Sequence, residues 1–230
     1  MKEVKLRGVE ARSYEATFLC SALEQCTKEN YLPLFVPEFV DGLIGSDVFP
    51  FEFYTGSVIV FGRVGSGWSS DAKVVVAHVP NYFMYVNNLR TSIGQGVREG
   101  ACKMPVRSFS HLLSKANNDR VFVLDSREVP NNPVMSINEL LDSKFVHAFL
   151  GGVVRAEKYL TWLQSKGVSS VSLGVHFTDF MDTNDCAHAR FLAINNSGLY
   201  ADRSMNATGA FVARRRNRGI GQFLEDLFGR

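Results

Sequence analysis

The sequence lacks the short motifs that identify most enzyme classes. Its four cysteines form no C-x-x-C pair, which excludes zinc-knuckle and thioredoxin-type motifs. It contains no G-x-S-x-G, Walker A or G-x-G-x-x-G pattern, so the commonest hydrolase, NTPase and dinucleotide-binding signatures are missing. These absences leave no catalytic signature of high specificity.

Long apolar runs are missing too. No apolar stretch approaches the ~18 residues that a membrane-spanning helix needs. The opening stretch MKEVKLRGVEARSYEATF is charged throughout and has no apolar signal-peptide core. Four cysteines in 230 residues are too few for a disulfide scaffold. We therefore expect a cytoplasmic protein with reduced thiols and no membrane contact.

The sequence also lacks a large excess of charge of either sign. The 25 Lys and Arg residues nearly balance the 23 Asp and Glu residues, and the net charge is +2. No field of the whole molecule therefore indicates nucleic acid or membrane, and local clusters must carry any such prediction. At 46% hydrophobic residues the composition is that of a globular protein. We expect one globular α/β domain over residues 1–213, with a subdomain boundary near residue 100 as the alternative.

The first half of the chain predicts a helix and a hairpin. Leu19, Ala22, Leu23 and Cys26 fall on one helical face, with Ser13 as the predicted N-cap. The stretch YLPLFVPEFVDGLIG has two prolines and is predicted to be irregular. The β-branched runs GSVIVFGRV and AKVVVAHVP flank a Gly-rich segment, which indicates an antiparallel hairpin.

The second half of the chain alternates between segments with helical periodicity and segments with strand periodicity. We predict helices in VRSFSHLLSKAN, SINELLDS and GVVRAEKYLTWLQSK, the second opened by a capping box of Ser136 and Glu139. We predict strands in RVFVLD, KFVHAFL and VSSVSLGVHF, then a hairpin in RFLAINNSGLYAD and a strand in GAFVARR. The alternation is typical of parallel βαβ units.

The predicted fold class is therefore α+β or α/β. It has an N-terminal helix and β-hairpin, a central mixed and partly parallel sheet covered by helices, and a C-terminal hairpin followed by a short amphipathic helix.

The ends of the predicted parallel strands form the first candidate site, because open α/β sheets bind ligands there. Three candidate catalytic residues lie at or just after the ends of predicted strands: Asp125, His176 and Asp179. A glycine pair, Gly151 and Gly152, opens a helix and exposes backbone N–H groups to an anion. Arg155, one turn further on, can add a bidentate phosphate contact.

A polar segment beyond these strands is the second candidate. HFTDFMDTNDCAH holds two histidines, three aspartates and a cysteine, a mixed N/O set that suits zinc, manganese or non-haem iron. The candidate ligands are Asp179, Asp182 and His188, and a divalent metal ion is the candidate cofactor. The alternative is a polar loop whose aspartates cap helices.

The end of the chain is the third candidate. Residues 214–230 are predicted to be a basic joint and a docking helix. Four arginines would contact phosphates of nucleic acid: Arg214, Arg215, Arg216 and Arg218. The alternative is a solvated linker.

An apolar stripe follows the arginines. Its predicted partner-binding residues are Gln222, Phe223, Leu224, Leu227 and Phe228. QFLEDLF resembles the short peptides with which replication proteins dock on sliding clamps, since Gln222, Leu227 and Phe228 match that pattern. The resemblance implies docking on another protein by helix-in-groove recognition. The alternative is that this helix packs on its own domain.

Three function classes remain open. The first is an interaction or accessory protein that joins a nucleic-acid or protein assembly through the basic joint and the C-terminal peptide. The second is a metal- or nucleotide-dependent enzyme with its site at the strand ends. The third is a structural subunit of a larger assembly such as a virion. We place the interaction protein first, because folding alone explains the terminal residues least.

Overall fold

The computed structural model describes residues 2–46, 52–64, 71–116, 118–131, 133–175, 187–195 and 198–216. Within them lie thirteen strands: β1 Lys2–Leu6, β2 Val9–Ala16, β3 Tyr31–Pro33, β4 Phe53–Val64, β5 Asp71–Ala77, β6 Val97–Arg98, β7 Ala101–Met104, β8 Val121–Asp125, β9 Val134–Ser136, β10 Ser170–Gly174, β11 Ala187–Asn195, β12 Gly198–Tyr200 and β13 Gly209–Arg215. They also contain seven α-helices: α1 Leu19–Lys28, α2 Val36–Leu43, α3 Val86–Gly94, α4 Val106–Leu113, α5 Ile137–Leu141, α6 Lys144–Leu150 and α7 Val153–Ser165.

All thirteen strands belong to one mixed sheet, built around the antiparallel pair β4 and β11. On its other side β4 pairs with β13 near its start and with β5 along its second half. Strand β11 likewise pairs with β7 near its start and with β12 near its end. Strand β13 also joins the N-terminal hairpin of β1 and β2 to the sheet.

The sheet is buried on both faces, which explains why β4 reads as a nearly continuous apolar run. Val58 and Val60 of β4 belong to the core under α1, α3 and α4. Ile59 and Phe61 point the other way, into the core under α2, α5, α6 and α7. The molecule thus has three layers, with helices on each side of the sheet, and the predicted fold class of a mixed, partly parallel sheet covered by helices is confirmed.

One predicted strand is a helix. KFVHAFL forms α6, because Ser143 caps its N-terminus by accepting a hydrogen bond from the Val146 N–H at 3.3 Å. A short apolar run fits a buried strand and a buried helix equally well, and here five of its seven residues are buried under α2 and α7. The parallel βαβ units predicted over this region are therefore wrong. Parallel pairing occurs instead between β10 and β12 and between β13 and β4.

Two features of the first half also differ from the prediction. Ser13 lies in β2 and caps no helix; α1 begins at Leu19, and its buried residues are the four that the periodicity indicated. The stretch predicted to be irregular forms β3 and α2, because Pro37 lies in the first turn of α2, where its missing N–H costs nothing.

Residues on both sides of position 100 belong to the same sheet, since β7 pairs with β11. Three cysteines in the described residues, Cys20, Cys26 and Cys102, are free thiols. Throughout the described ranges, no helix combines the length and the apolar character needed to cross a membrane.

Candidate binding cleft

Asp125, the first of the predicted catalytic residues, is held by neighbours. It is the last residue of β8 and forms an ion pair with Lys73 of β5, the residue opposite it in the sheet. The hydrogen bond and the charge of Lys73 lower the pKa of the Asp125 carboxyl below its usual value. The Asp125 N–H donates to Glu128 at 2.9 Å. His176 and Asp179 lie outside the described residues, so their convergence with Asp125 stays a prediction.

The glycine pair has a different setting from the predicted one. Gly151 caps the end of α6 in the left-handed conformation at φ 82°, and Gly152 is the N-cap residue of α7, so the pair joins two helices and does not follow a strand. Arg155 donates to the Gly151 carbonyl at 2.6 Å and to Asp41 of α2 at 2.9 Å. The Arg155 guanidinium therefore connects the α6–α7 turn to α2. Anion binding by this turn stays a prediction.

The surroundings of His188 do not favour a metal ion. The residue is 1% exposed in β11, and burial lowers its pKa to about 4, with the charges of Arg98, Lys103 and Arg190 acting in the same direction. Nearby cations repel a divalent cation. Asp179 and Asp182 lie outside the described residues, and the parts of the chain that are described hold no group of three or more His, Cys, Asp or Glu arranged for a metal.

The basic run begins inside the sheet. Arg214 belongs to β13 and pairs with Glu38 of α2 at 3.0 Å, and Arg215 is exposed at the end of that strand. The Arg216 N–H donates to the Asn30 carbonyl at 2.9 Å, which extends the pairing by one residue. Arg218 and the predicted docking residues lie outside the described residues. Phosphate contact by this run stays a prediction.

A cleft that the sequence analysis did not identify lies on the α3/α4 side of the sheet. Its volume is about 550 Å³, and its walls are residues 80–88 and helix α4. The buried floor is formed by Met104 and Leu112, which are 1% and 3% exposed. This volume lies within the range of small-ligand sites, roughly 300–1,000 Å³.

The first wall is fixed to the sheet by Asn81. This side chain is 2% exposed and donates to the Gly56 carbonyl of β4 at 2.9 Å, while its oxygen accepts from the Phe83 N–H at 3.1 Å. Phe83 is fully buried, with its ring 6.4 Å from that of Phe191. Asn88 of α3 donates to the Tyr82 carbonyl at 3.1 Å. These bonds hold the short helical turn Tyr82–Met84 in place.

The second wall is α4, and its close packing against the sheet depends on a glycine of β4. Phe109 of α4 is 2% exposed and lies directly over Gly62 of β4, where an added Cβ would be 2.7 Å from a ring carbon. The missing side chain allows α4 to approach the sheet closely. Both walls therefore rest on β4, although they are about twenty residues apart in the chain.

The open part of the cleft is polar and aromatic. Asn87 and Arg107 are exposed, whereas Tyr82, Tyr85, Asn88, Ser108 and His111 are half-buried. Burial, and then the charge of Lys115, lowers the pKa of His111, which favours its neutral form. None of the described residues that line the cleft is acidic.

No family model matches the chain, and no curated protein matches it. A solved structure matches the chain. It comes from work on the accommodation of massive sequence variation in Nanoarchaeota by the C-type lectin fold. The two are 27% identical, the match covers 91% of this chain and 100% of that chain, and the TM-score is 0.78. The architecture described above is thus that of a C-type lectin fold, an α+β fold.

Proposed function

We propose that this chain is a binding protein that recognises its ligand in the cleft between residues 80–88 and α4. The composition of that cleft carries the proposal. Its open positions are Tyr, Asn, Ser, Arg and His. Tyr, Ser and Asn, with Arg at the strongest contacts, are the residues that antibody paratopes use, because Tyr supplies rigid contact area and Ser and Asn supply adaptable hydrogen bonds.

The separation of fixed and open positions supports a recognition surface that tolerates change. Asn81, Met104 and Leu112 are buried and hold the cleft together. Substitutions at exposed residues such as Asn87 and Arg107 should change stability by less than about 0.5 kcal/mol. The similar structure, in which this fold accommodates massive sequence variation, supports the same reading of the present chain.

A display experiment tests the proposal. We would randomise Tyr85, Asn87, Arg107 and Ser108 together, display the library on yeast, and measure protease resistance and binding to unrelated target proteins. Most members should stay folded, and selection should yield binders to several targets. A matched library at Asn81, Met104 and Leu112 should lose protease resistance, since truncating buried apolar side chains costs about 2–5 kcal/mol.

The opposite result is specific. If the first library unfolds as readily as the second, these positions belong to the core and the cleft is no recognition surface. If its members fold but no target selects any of them, the cleft does not bind in the way proposed.

A further inference from the structure

We infer that the natural occupant of this cleft is an acidic segment of another protein, one rich in Asp and Glu. The inference rests on the proposed function and adds the chemistry of the ligand. Its first support is the charge of the lining. Arg107 stands at the open rim, and no carboxylate lies among the described lining residues to neutralise it.

The two wall segments show the same asymmetry. Residues 80–88 and 106–113 contain no Asp or Glu, and Arg107 is their single Lys or Arg residue. A cleft lined by one sign of charge concentrates ligands of the other sign.

The hydrogen-bonding groups match carboxylates as well. A guanidinium binds a carboxylate with two parallel N–H···O bonds. The amides of Asn87 and Asn88 and the hydroxyl of Ser108 can donate to further oxygens. Tyr82 and Tyr85 also line the cleft, where their rings can contact the aliphatic part of an acidic side chain. The paratope-like mixture of these residues favours a protein segment as the source of the carboxylates.

A peptide selection tests this inference directly. The intact protein is immobilised and a phage library of random twelve-residue peptides is selected against it and, in parallel, against Arg107→Glu. Peptides selected by the wild type should be enriched in Asp and Glu, and Arg107→Glu should weaken their binding by about tenfold or more, because it replaces the attraction by repulsion. Peptides selected by Arg107→Glu should be enriched in Lys and Arg instead.

The matched control is Lys158→Glu. It makes the same charge change at an exposed position on α7, on the opposite face of the sheet. It should leave both peptide composition and affinity unchanged, and circular dichroism would check that both variants are folded. Affinity for an acidic peptide should also fall as salt rises in the wild type.

Two outcomes would overturn the inference while the proposed function stands. Peptides that need Tyr85, as tested with Tyr85→Ala, but carry no excess of Asp and Glu would show that the cleft binds without this preference. Tyr85-dependent binding to uronic-acid or sialic-acid glycans on an array, with no peptide selected, would assign the carboxylates to a saccharide. A failed randomised-cleft library would count against the proposed function itself.

Discussion

At the scale of single residues, His78 shows how one buried polar side chain connects helices on one face of the sheet to strand β4. It is fully buried, with Nε2 2.8 Å from the Ala148 carbonyl of α6 and Nδ1 2.8 Å from the Ser57 hydroxyl of β4. A carbonyl can only accept, so Nε2 carries the proton and Nδ1 accepts from Ser57. The Ser57 oxygen accepts in turn from the Val36 N–H of α2 at 2.8 Å.

This chain of hydrogen bonds requires a neutral imidazole, which predicts loss of stability in acid. Burial lowers the pKa of His78 to about 4, from a usual value of 6.5, with further lowering by Arg155 and Arg120. The unfolded chain therefore binds a proton first, and stability should fall as the pH drops from about 6.5 to about 4, by about 3 kcal/mol for this residue. Urea unfolding at pH 7, 5.5 and 4.5 measures the loss.

His78→Asn provides the comparison. The variant should be less stable at pH 7 but should lose less on acidification than the wild type. His188 has a pKa lowered to about 4 as well, so part of the loss should remain. An equal loss in variant and wild type would assign the acid sensitivity to other groups.

At the scale of elements, the contact between α4 and β4 fixes the second wall of the cleft. Gly62→Ala should place a methyl group against the Phe109 ring, where the nearest atom is 2.7 Å from the new Cβ. We expect a destabilisation of about 1–3 kcal/mol, which lowers the melting temperature of a protein this size by roughly 2–4 °C per kcal/mol. Binding in the cleft should weaken too, because α4 must move.

Gly94→Ala is the matched control, since it adds the same methyl group to a glycine at the end of α3. No atom lies within 4 Å of its Cβ position, and the backbone is not left-handed. This variant should be as stable as the wild type or more stable, by about 0.4–1 kcal/mol. Equal melting temperatures for Gly62→Ala and the wild type would contradict the close seat of α4.

Elements with strong periodicity could be predicted, and elements decided by tertiary packing could not. Helix α1, the β4–β5 hairpin and the capping box at Ser136 follow from local signals. The identity of α6 did not, because burial on nearly all sides removes the periodicity that separates helix from strand. The N-terminal hairpin β1–β2 was missed because its charged residues leave no apolar run, and it is completed by β13.

The cleft could not be predicted from the sequence for a related reason. Its walls are separate segments of the chain, and Asn81 and Phe109 attach both of them to β4. The local signal that could have indicated it is the cluster of Asn and Tyr residues over positions 81–88. By contrast, Asp125 was placed correctly at a strand end, but its partner Lys73 could not be read from the sequence.

At the scale of the whole molecule, the sequence predicts a division between the sheet and the last residues of the chain. We expect removal of residues 219–230 to leave the melting temperature nearly unchanged and to abolish one protein–protein contact. Leu227→Ala with Phe228→Ala should have the same effect. Calorimetry and copurification from native lysate are the measurements. The stability change should stay below about 0.5 kcal/mol.

A core truncation calibrates this test. Leu160→Ala removes a fully buried side chain of α7 and should cost about 2–5 kcal/mol. If the deletion lowers the melting temperature as much as Leu160→Ala does, the terminal residues are part of the core and the docking prediction is wrong.

The position of β13 in the sheet has a consequence for synthesis. Residues 209–215 lie between the N-terminal hairpin and β4, so a strand that is made long after β2 joins the first two strands to the rest of the sheet. While the ribosome is still adding residue 208, β2 therefore has an open edge, and open strand edges pair readily with other chains. That edge is paired only after residues 209–215 have been translated, and until then the nascent chain exposes it to other chains and to chaperones.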